Sequence, residues 1–383
     1  MREAVIIEGV RTPVGKKNGD LKNIRADELL AMTIKELVKR TEIEASQIED
    51  VIVGCVSQIG EQAGDIARVA ALIAGLPIEV PGTTIDRQCG SSQQAVHFAA
   101  QAIISGDMDV VIAGGVESMS RIPIGSNYKG VKPSSLYREK YDVVHQGISA
   151  ERIADKYTFS REELDIYSLH SHEKALHAWE NGYFNRETFA VEAETEEGQP
   201  VLIKEDSGPR KDSSLEGLAN LKPVFTEDGV ITAGNSSQIS DGAACLLIMS
   251  AERAKQLGLK PKCKIHTRVV VGSDPELMLT GPIAATQKAL EKSGLTLRDI
   301  DIYEVNEAFA SVPLAWLEEL DADPRRLNPN GGAIALGHPL GASGARIMVS
   351  LVHELERTKS RYGLQTMCEG HGMANATILE RLD

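Results

Sequence analysis

No stretch of the chain reaches the roughly 18 uncharged apolar residues that a membrane-spanning helix needs, so no membrane anchor is expected. A secretory leader is not expected either. Residues 1–8 pass almost at once into a strand-like run at 4–7, leaving no room for a charged segment followed by an apolar one. Positive charge is in deficit: 41 Lys and Arg stand against 55 Asp and Glu, a net charge of −14. That excludes the broad basic face with which proteins hold nucleic acid or anionic lipid, and a polyanionic small molecule would have to meet a local basic patch. The five cysteines, at positions 55, 89, 245, 263 and 368, are odd in number, far apart and form no C-x-x-C pair. They read as reduced thiols of a cytoplasmic protein, each to be explained by packing or by chemistry. His170, His172 and His177 share a predicted helix but lack the i, i+4 spacing of a helical zinc site, so no metal is expected.

What is present is a chain of 383 residues, 42% hydrophobic, long enough for two or three domains with sizeable cores. Strand-like runs at 51–53, 110–113, 300–305 and 364–367 alternate with helical periodicity at 26–41, 63–74, 91–105, 161–181, 282–293 and 344–357. This is an α/β pattern. Leu29, Ile34, Leu37 and Val38 form an apolar stripe, a packing face. Segments 122–140 and 192–229, rich in Pro, Gly, Ser and charge, read as long excursions from the core, which in a compact protein are usually functional. A faint duplication is visible as well. Ile48 and Ile300 lie in similar segments 252 positions apart, and Val111 and Gln365 in similar strands 254 positions apart. Two related α/β halves are expected, with the irregular middle inserted into the first.

Four motifs carry chemistry. Thr83 to Ser92, T-T-I-D-R-Q-C-G-S-S, joins a strand to a helix beginning just after Cys89, where the helix dipole is expected to lower the thiol's pKa. An isolated cysteine is usually a small core residue, the reading kept for Cys55, Cys245 and Cys263. The glycine-dense run 328–344 holds one histidine, His338, followed by proline; its spacing is neither a dinucleotide fingerprint nor a phosphate loop. Asn306, in N-E-A-F-A, and Cys368, in C-E-G-H-G, end two strands, where an amide could orient a water and a thiol could move protons.

The strings R-Q-C-G-S-S-Q-Q-A, G-G-V-E-S-M-S, T-A-G-N-S-S-Q-I-S-D-G-A-A, N-E-A-F-A, N-G-G-A-I-A-L-G-H-P-L-G and C-E-G-H-G resemble the thiolase family in order and spacing along essentially the whole chain. The resemblance is closer to the degradative 3-ketoacyl-CoA thiolases than to the acetoacetyl-CoA-forming type. It implies an α/β fold of two similar α/β/α/β/α halves with an inserted loop domain: 1–118 with 240–255 returning to it, 119–239 holding coenzyme A, and 256–383. It also implies an acyltransferase of fatty acid β-oxidation, acting on 3-ketoacyl-CoA with coenzyme A as co-substrate, with no permanently bound cofactor, and assembling as a homodimer or homotetramer.

Carried over by motif, Cys89 is the nucleophile, His338 its proton acceptor, Asn306 the holder of a water, Cys368 the second acid and base, and Gly370 a backbone oxyanion donor with Cys89. Ser237, His145, Ala308 and Phe309 would lie along the pantetheine and Arg210 near the nucleotide, although an arginine in a charged stretch is often merely solvated. The tail departs from the family's Cys-x-Gly-Gly-Gly at His371, which is strained if that position needs positive φ, and Glu369 would raise the neighbouring thiol's pKa if it points inward. A ketoacyl synthase shares fold and nucleophile but not the second cysteine. A Cys-His-Asn hydrolase would run Cys, His, Asn, whereas here Asn306 precedes His338. A non-catalytic acyl-CoA-binding protein would be expected to have lost a reactive residue, and none is missing.

Overall fold

The computed structural model describes residues 2–195 and 198–382; Met1, Glu196, Glu197 and Asp383, which fall in the terminal runs and in the second excursion, lie outside the described residues. Its strands are β1 (Ala4–Arg11), β2 (Gly15–Lys16), β3 (Asp50–Gly54), β4 (Gly82–Ile85), β5 (Val110–Ser118), β6 (Val191–Glu194), β7 (Pro200–Ile203), β8 (Ser240–Ser250), β9 (Cys263–Gly272), β10 (Ile302–Val305), β11 (Tyr362–Glu369) and β12 (Met373–Arg381). The main sheet runs β4-β3-β5-β8-β1-β9-β12-β11-β10, with β2 attached to β8. β3 pairs in parallel with β5, and β10 in parallel with β11. β5 and β8, and likewise β11 and β12, are antiparallel. The two halves therefore repeat one pattern and join where Val5 and Ile6 of β1 pair with Lys264 and Cys263 of β9. β3 and β10 begin 252 positions apart, as do β5 and β11, so the duplication is a property of the fold.

Helices form three layers around these strands. Helices Ala26–Thr41 and Ile66–Ile73 cover the outer face of the first half through Leu29, Ile34, Leu37, Ile66 and Ala70. Helices Gly281–Ser293 and Ser311–Leu320 cover the second through Ala285, Ala289 and Trp316. Between the halves lie helices Ser91–Ser105 and Leu340–Thr358, and the second is buried all round from Leu340 to Leu355, as a helix in the middle layer must be. A Cβ at Gly344 would overlap the backbone of Gln93, so only glycine allows these two helices their close approach.

The expected fold class holds, with local differences. Strands β8, β9 and β12 and helices Gln146–Lys156 and Ser311–Leu320 were not predicted by the periodicity. β8, S-D-G-A-A-C-L-L-I-M-S, is buried at every position and shows no alternation, the usual appearance of a strand covered on both faces. The second excursion contains the β6–β7 hairpin and a short helix, Leu215–Ala219. Helix Arg161–Glu180 opens with a capping box between Ser160 and Glu163.

A buried ion network ties the excursion to the core. Arg11, on β1, is fully buried; its Nε donates to Glu187 (2.6 Å) and its two terminal nitrogens donate to Asp206 (2.7 and 2.9 Å). Asp206 also accepts from the Val14 N–H (2.6 Å) and the Trp179 indole (3.1 Å). Removing one partner of such a pair strands the other charge in a dry site. Asp206→Ala is expected to destabilise the protein by about 3–5 kcal/mol in urea unfolding, whereas Arg325→Ala, which removes an 88% exposed side chain paired with Asp323, should leave the unfolding midpoint unchanged.

Candidate active site

The turn between β4 and helix Ser91–Ser105 positions Cys89. Gln88, just before it, has φ +50°, a left-handed conformation that costs a non-glycine residue about 1 kcal/mol or more and persists only where the surroundings hold it. They do so here. Asp86 accepts from the Gln88 N–H (2.6 Å), and Ser91 Oγ accepts from the Arg87 N–H (2.9 Å) while donating to the Gln88 carbonyl (2.6 Å). Cys89 is 7% exposed and packs among Val56, Met119, Leu340 and Met367. Its thiol is not activated as the helix dipole alone implies. Burial first, and the Glu369 carboxylate second, push it up to about 12, outweighing the helix terminus.

His338 stands two residues before helix Leu340–Thr358. Its N–H donates to the Gln238 carbonyl (3.0 Å). Its Nδ1 lies 2.6 Å from Ser343 Oγ, and that hydroxyl donates its own proton to the Pro339 carbonyl (2.8 Å). Oγ must then accept from Nδ1–H, which leaves Nε2 with a free lone pair. The Asn306 amide nitrogen approaches Nε2 at 3.4 Å, while Asn306 Oδ1 is buried without a partner. Burial pushes the imidazole down to about 3, with Arg346 adding to the effect, so at neutral pH it is an uncharged base. Glu307 anchors this region: it accepts from Tyr167 (2.9 Å), Ser171 (2.7 Å), Asn328 (3.0 Å) and the Ile334 N–H (3.0 Å). Asn306 is thereby held against the loop that carries His338.

Cys368, 1% exposed, is the penultimate residue of β11; burial and the neighbouring Cys89 push its thiol well above its ordinary range. A Cβ at Gly370 would lie 2.9 Å from Gln88 Oε1, so Gly370 abuts the Cys89 turn. Glu369 points inward, against Gly90. His371 has φ +66°, so the histidine does sit in a position that suits glycine; it is exposed, with Nδ1 3.5 Å from the Tyr137 hydroxyl.

Four of the five residues expected along coenzyme A are joined by contacts. The Ser237 N–H donates to the Ala308 carbonyl (3.0 Å). His145 stacks on Phe225 at 5.2 Å, and Phe225 meets Phe309 edge-on at 5.8 Å. Ala308, Phe309 and Cys368 share one apolar cluster, so this wall reaches the second thiol. Arg210 stands apart, exposed, its backbone N–H donating to His172 Nδ1 (3.2 Å). Cys55, Cys245 and Cys263 are buried in the core. Three residues were not singled out from the sequence: Phe225, Glu307 and Ser343. Of these, Ser343 alone carried a signal, a hydroxyl one helical turn beyond the His-Pro step.

Residues 4–252 match the model of the thiolase N-terminal domain, and residues 259–381 that of the thiolase C-terminal domain. The chain belongs to the thiolase family. It is 51% identical over 393 residues to a steroid 3-ketoacyl-CoA thiolase of Mycobacterium tuberculosis, spanning 100% of this chain and 95% of that one. It is 43% identical over 390 residues to a 3-ketoacyl-CoA thiolase of Idiomarina loihiensis, with both chains covered in full. The crystal structure of the Bacillus anthracis acetyl-CoA acetyltransferase superposes with a TM-score of 0.92 at 40% identity, over 100% of this thiolase and 99% of that chain. This thiolase is an acyltransferase. Among its described residues no helix is long and apolar enough to cross a membrane.

The Ser343 hydroxyl holds the ring orientation of His338, so Ser343→Ala should lower kcat by about 10–100-fold, the scale of a modest misplacement of a reacting group. KM should stay within a few-fold. Steady-state kinetics with an unchanged thermal melt would check this, and an unaltered kcat would show the ring to be held by other contacts.

Proposed function

We propose that this thiolase cleaves 3-ketoacyl-CoA with coenzyme A, giving acetyl-CoA and an acyl-CoA shortened by two carbons, through an acyl group on Cys89. One observation carries the reading: Cys89 raises the cost of ionising Cys368, as two neighbouring buried thiols would, and Leu340, two residues beyond His338 with its unprotonated Nε2, packs on Cys89. The names of the relatives support the substrate class.

In the first half-reaction Cys89 attacks the 3-keto carbon and passes its proton to His338 Nε2. The C2–C3 bond breaks, and the departing acetyl-CoA is an enolate whose thioester oxygen is held by His338 and a water on Asn306. Cys368 protonates the enolate carbon. In the second, coenzyme A enters, Cys368 removes its thiol proton, the new thiolate attacks the acyl-Cys89 carbonyl, and collapse breaks the bond to Cys89, whose sulfur regains its proton from His338 as the shortened acyl-CoA leaves. The oxyanion sits between the N–H groups of Cys89 and Gly370, each such donor contributing about 3 kcal/mol to the transition state. With thiol and imidazole both uncharged at rest, charge appears only as bonds change, in a site whose donors are already in place.

Residues 119–239 would form the loop domain that holds coenzyme A, between core halves at 1–118 (with 240–255) and 256–383. Arg210 would reach the nucleotide, and His145, Ser237, Ala308 and Phe309 the pantetheine. The cytoplasm, lipid β-oxidation and a homo-oligomer complete the reading. The last is supported by β4, a sheet edge flanked by the exposed side chains Val69, Leu72, Ile73, Ile78 and Phe98, an apolar surface that a second copy would cover. The reverse, condensing direction has support in the acetyl-CoA acetyltransferase likeness, since one site serves both directions.

Incubation with a 3-ketoacyl-CoA in the absence of coenzyme A should trap an acyl group on the Cys89 peptide, read by mass spectrometry. Cys89→Ala should lose both label and turnover, while Cys55→Ala stays kinetically mild. Cys368→Ala should still accept an acyl group from an activated thioester yet fail to cleave the carbon–carbon bond. Label on another peptide, or near-normal thiolysis by the Cys368 variant, would remove the corresponding cysteine from the mechanism.

A further inference from the structure

Glu369 is fully buried, and neither carboxyl oxygen has a hydrogen-bond partner. Its Oε1 occupies the space that a Cβ at residue 90 would fill, so Gly90 is glycine because of this side chain and of the Asn375 amide beside it. Asn375 donates to the Gly90 carbonyl (3.1 Å), while its own Oδ1 is buried without a partner. A neutral carboxylic acid at Glu369 would bring a donor to this cluster of unmet acceptors; a carboxylate would add only acceptors.

The duplicated fold supplies an internal comparison. Glu117 precedes Glu369 by 252 positions, the offset that relates β5 to β11, and Gly341 lies 251 positions beyond Gly90. In the first half the carboxylate is fully engaged, accepting from the N–H groups of Val56 (2.9 Å), Ser57 (3.1 Å) and Gly341 (2.9 Å) and from Gln62 (2.8 Å). In the second half the same place against the opposite central helix holds a carboxyl with none. Glu117 is therefore an anchor held by hydrogen bonds, and Glu369 packs in the equivalent place without any.

We propose that Glu369 is a positioning residue for Cys89: its carboxyl, uncharged in the working enzyme, packs against the Cys89–Gly90 turn, and its ionisation as pH rises suppresses formation of the Cys89 thiolate. This deepens the thiolase reading and rests on it. Burial pushes the carboxyl up to about 8, and the charges facing it are Arg87, which opposes that shift, and Asp86, which adds to it. Cys89 and Cys368 both feel its charge; Glu117 also acts on Cys89, and His371 acts on Asp86. The β12 side chains nearest the turn, Met373 and Asn375, are uncharged.

The test is alkylation of Cys89 by iodoacetamide from pH 6 to 10, followed on its peptide in wild type, Glu369→Gln and Glu369→Met. This reaction needs no substrate, so its outcome is independent of whether 3-ketoacyl-CoA is cleaved. The ratio of variant to wild-type rate should be near one at pH 6, where the acid is neutral in wild type. It should climb to about fivefold by pH 9 and approach about tenfold at pH 10, corresponding to one unit of thiol pKa. The alkaline limb of acyl transfer should move up in parallel. A ratio that stays flat across the range overturns the proposal. An unpartnered carboxyl holds nothing that glutamine or methionine would release, so loss of folding in both variants would show it to be a structural anchor and overturn it equally.

Discussion

The contact between the two central helices sets the relation of Cys89 to His338 in the candidate active site. Cys89 and His338 each stand two residues before one of these helices, so the relation of thiol to imidazole is the relation of the two N-termini. Gly344 lies against the Gln93 backbone, the Ala345 N–H donates to Ser92 Oγ (2.8 Å), and Gln365 bridges Gln93 Oε1 (3.1 Å) and the Gly344 carbonyl (2.8 Å). Polar contacts inside an apolar layer are specific to one register, because a slip would leave buried donors unpaired. With both helices beginning at the site, their partial positive charges converge where the proposed mechanism forms an enolate and an oxyanion.

The same burial that packs these helices keeps the site uncharged. A thiol near 12, an imidazole near 3 and a carboxyl near 8 are all neutral at pH 7, each for the same reason: removal from water disfavours the charged form. A preformed thiolate–imidazolium pair, of the sort that activates many cysteine enzymes, is not the resting state. In the proposed mechanism the price is a thiol that ionises only together with attack, and the compensation is a set of fixed donors that would meet the charge as it appears.

Much of this was legible in the sequence, and the limits have physical causes. The motifs around Cys89, His338, Asn306 and Cys368 stood out because turns with glycine and proline at fixed positions are local, and the half-to-half offset survived because strand and loop lengths did. β8 was missed because a strand covered on both faces loses its alternation. The direction of the Cys89 shift was missed because the dipole is readable from neighbours in sequence, whereas burial and the approach of Glu369 come from residues about 280 positions away. Ser343 and Glu307 escaped for a related reason: hydroxyls and carboxylates are common, and only the fold reveals which ones carry partners.

Duplication gave this enzyme two equivalent frames, and its chemistry lies where they differ. Position 54 of the first half corresponds, at the same offset of 252, to position 306 of the second. It is glycine in one, where a Cβ would overlap the Ser91–Ser92 backbone, and asparagine in the other, where there is room for an amide beside His338. Glu117 is saturated with donors and Glu369 has none. The helix of one half is preceded by a thiol and that of the other by an imidazole. A symmetric pair would place two like groups face to face, leaving either a thiol with no imidazole base opposite it or a base with no nucleophile. Under the proposed mechanism, divergence at these paired positions turns a repeated scaffold into an acid, a base and a nucleophile around one point.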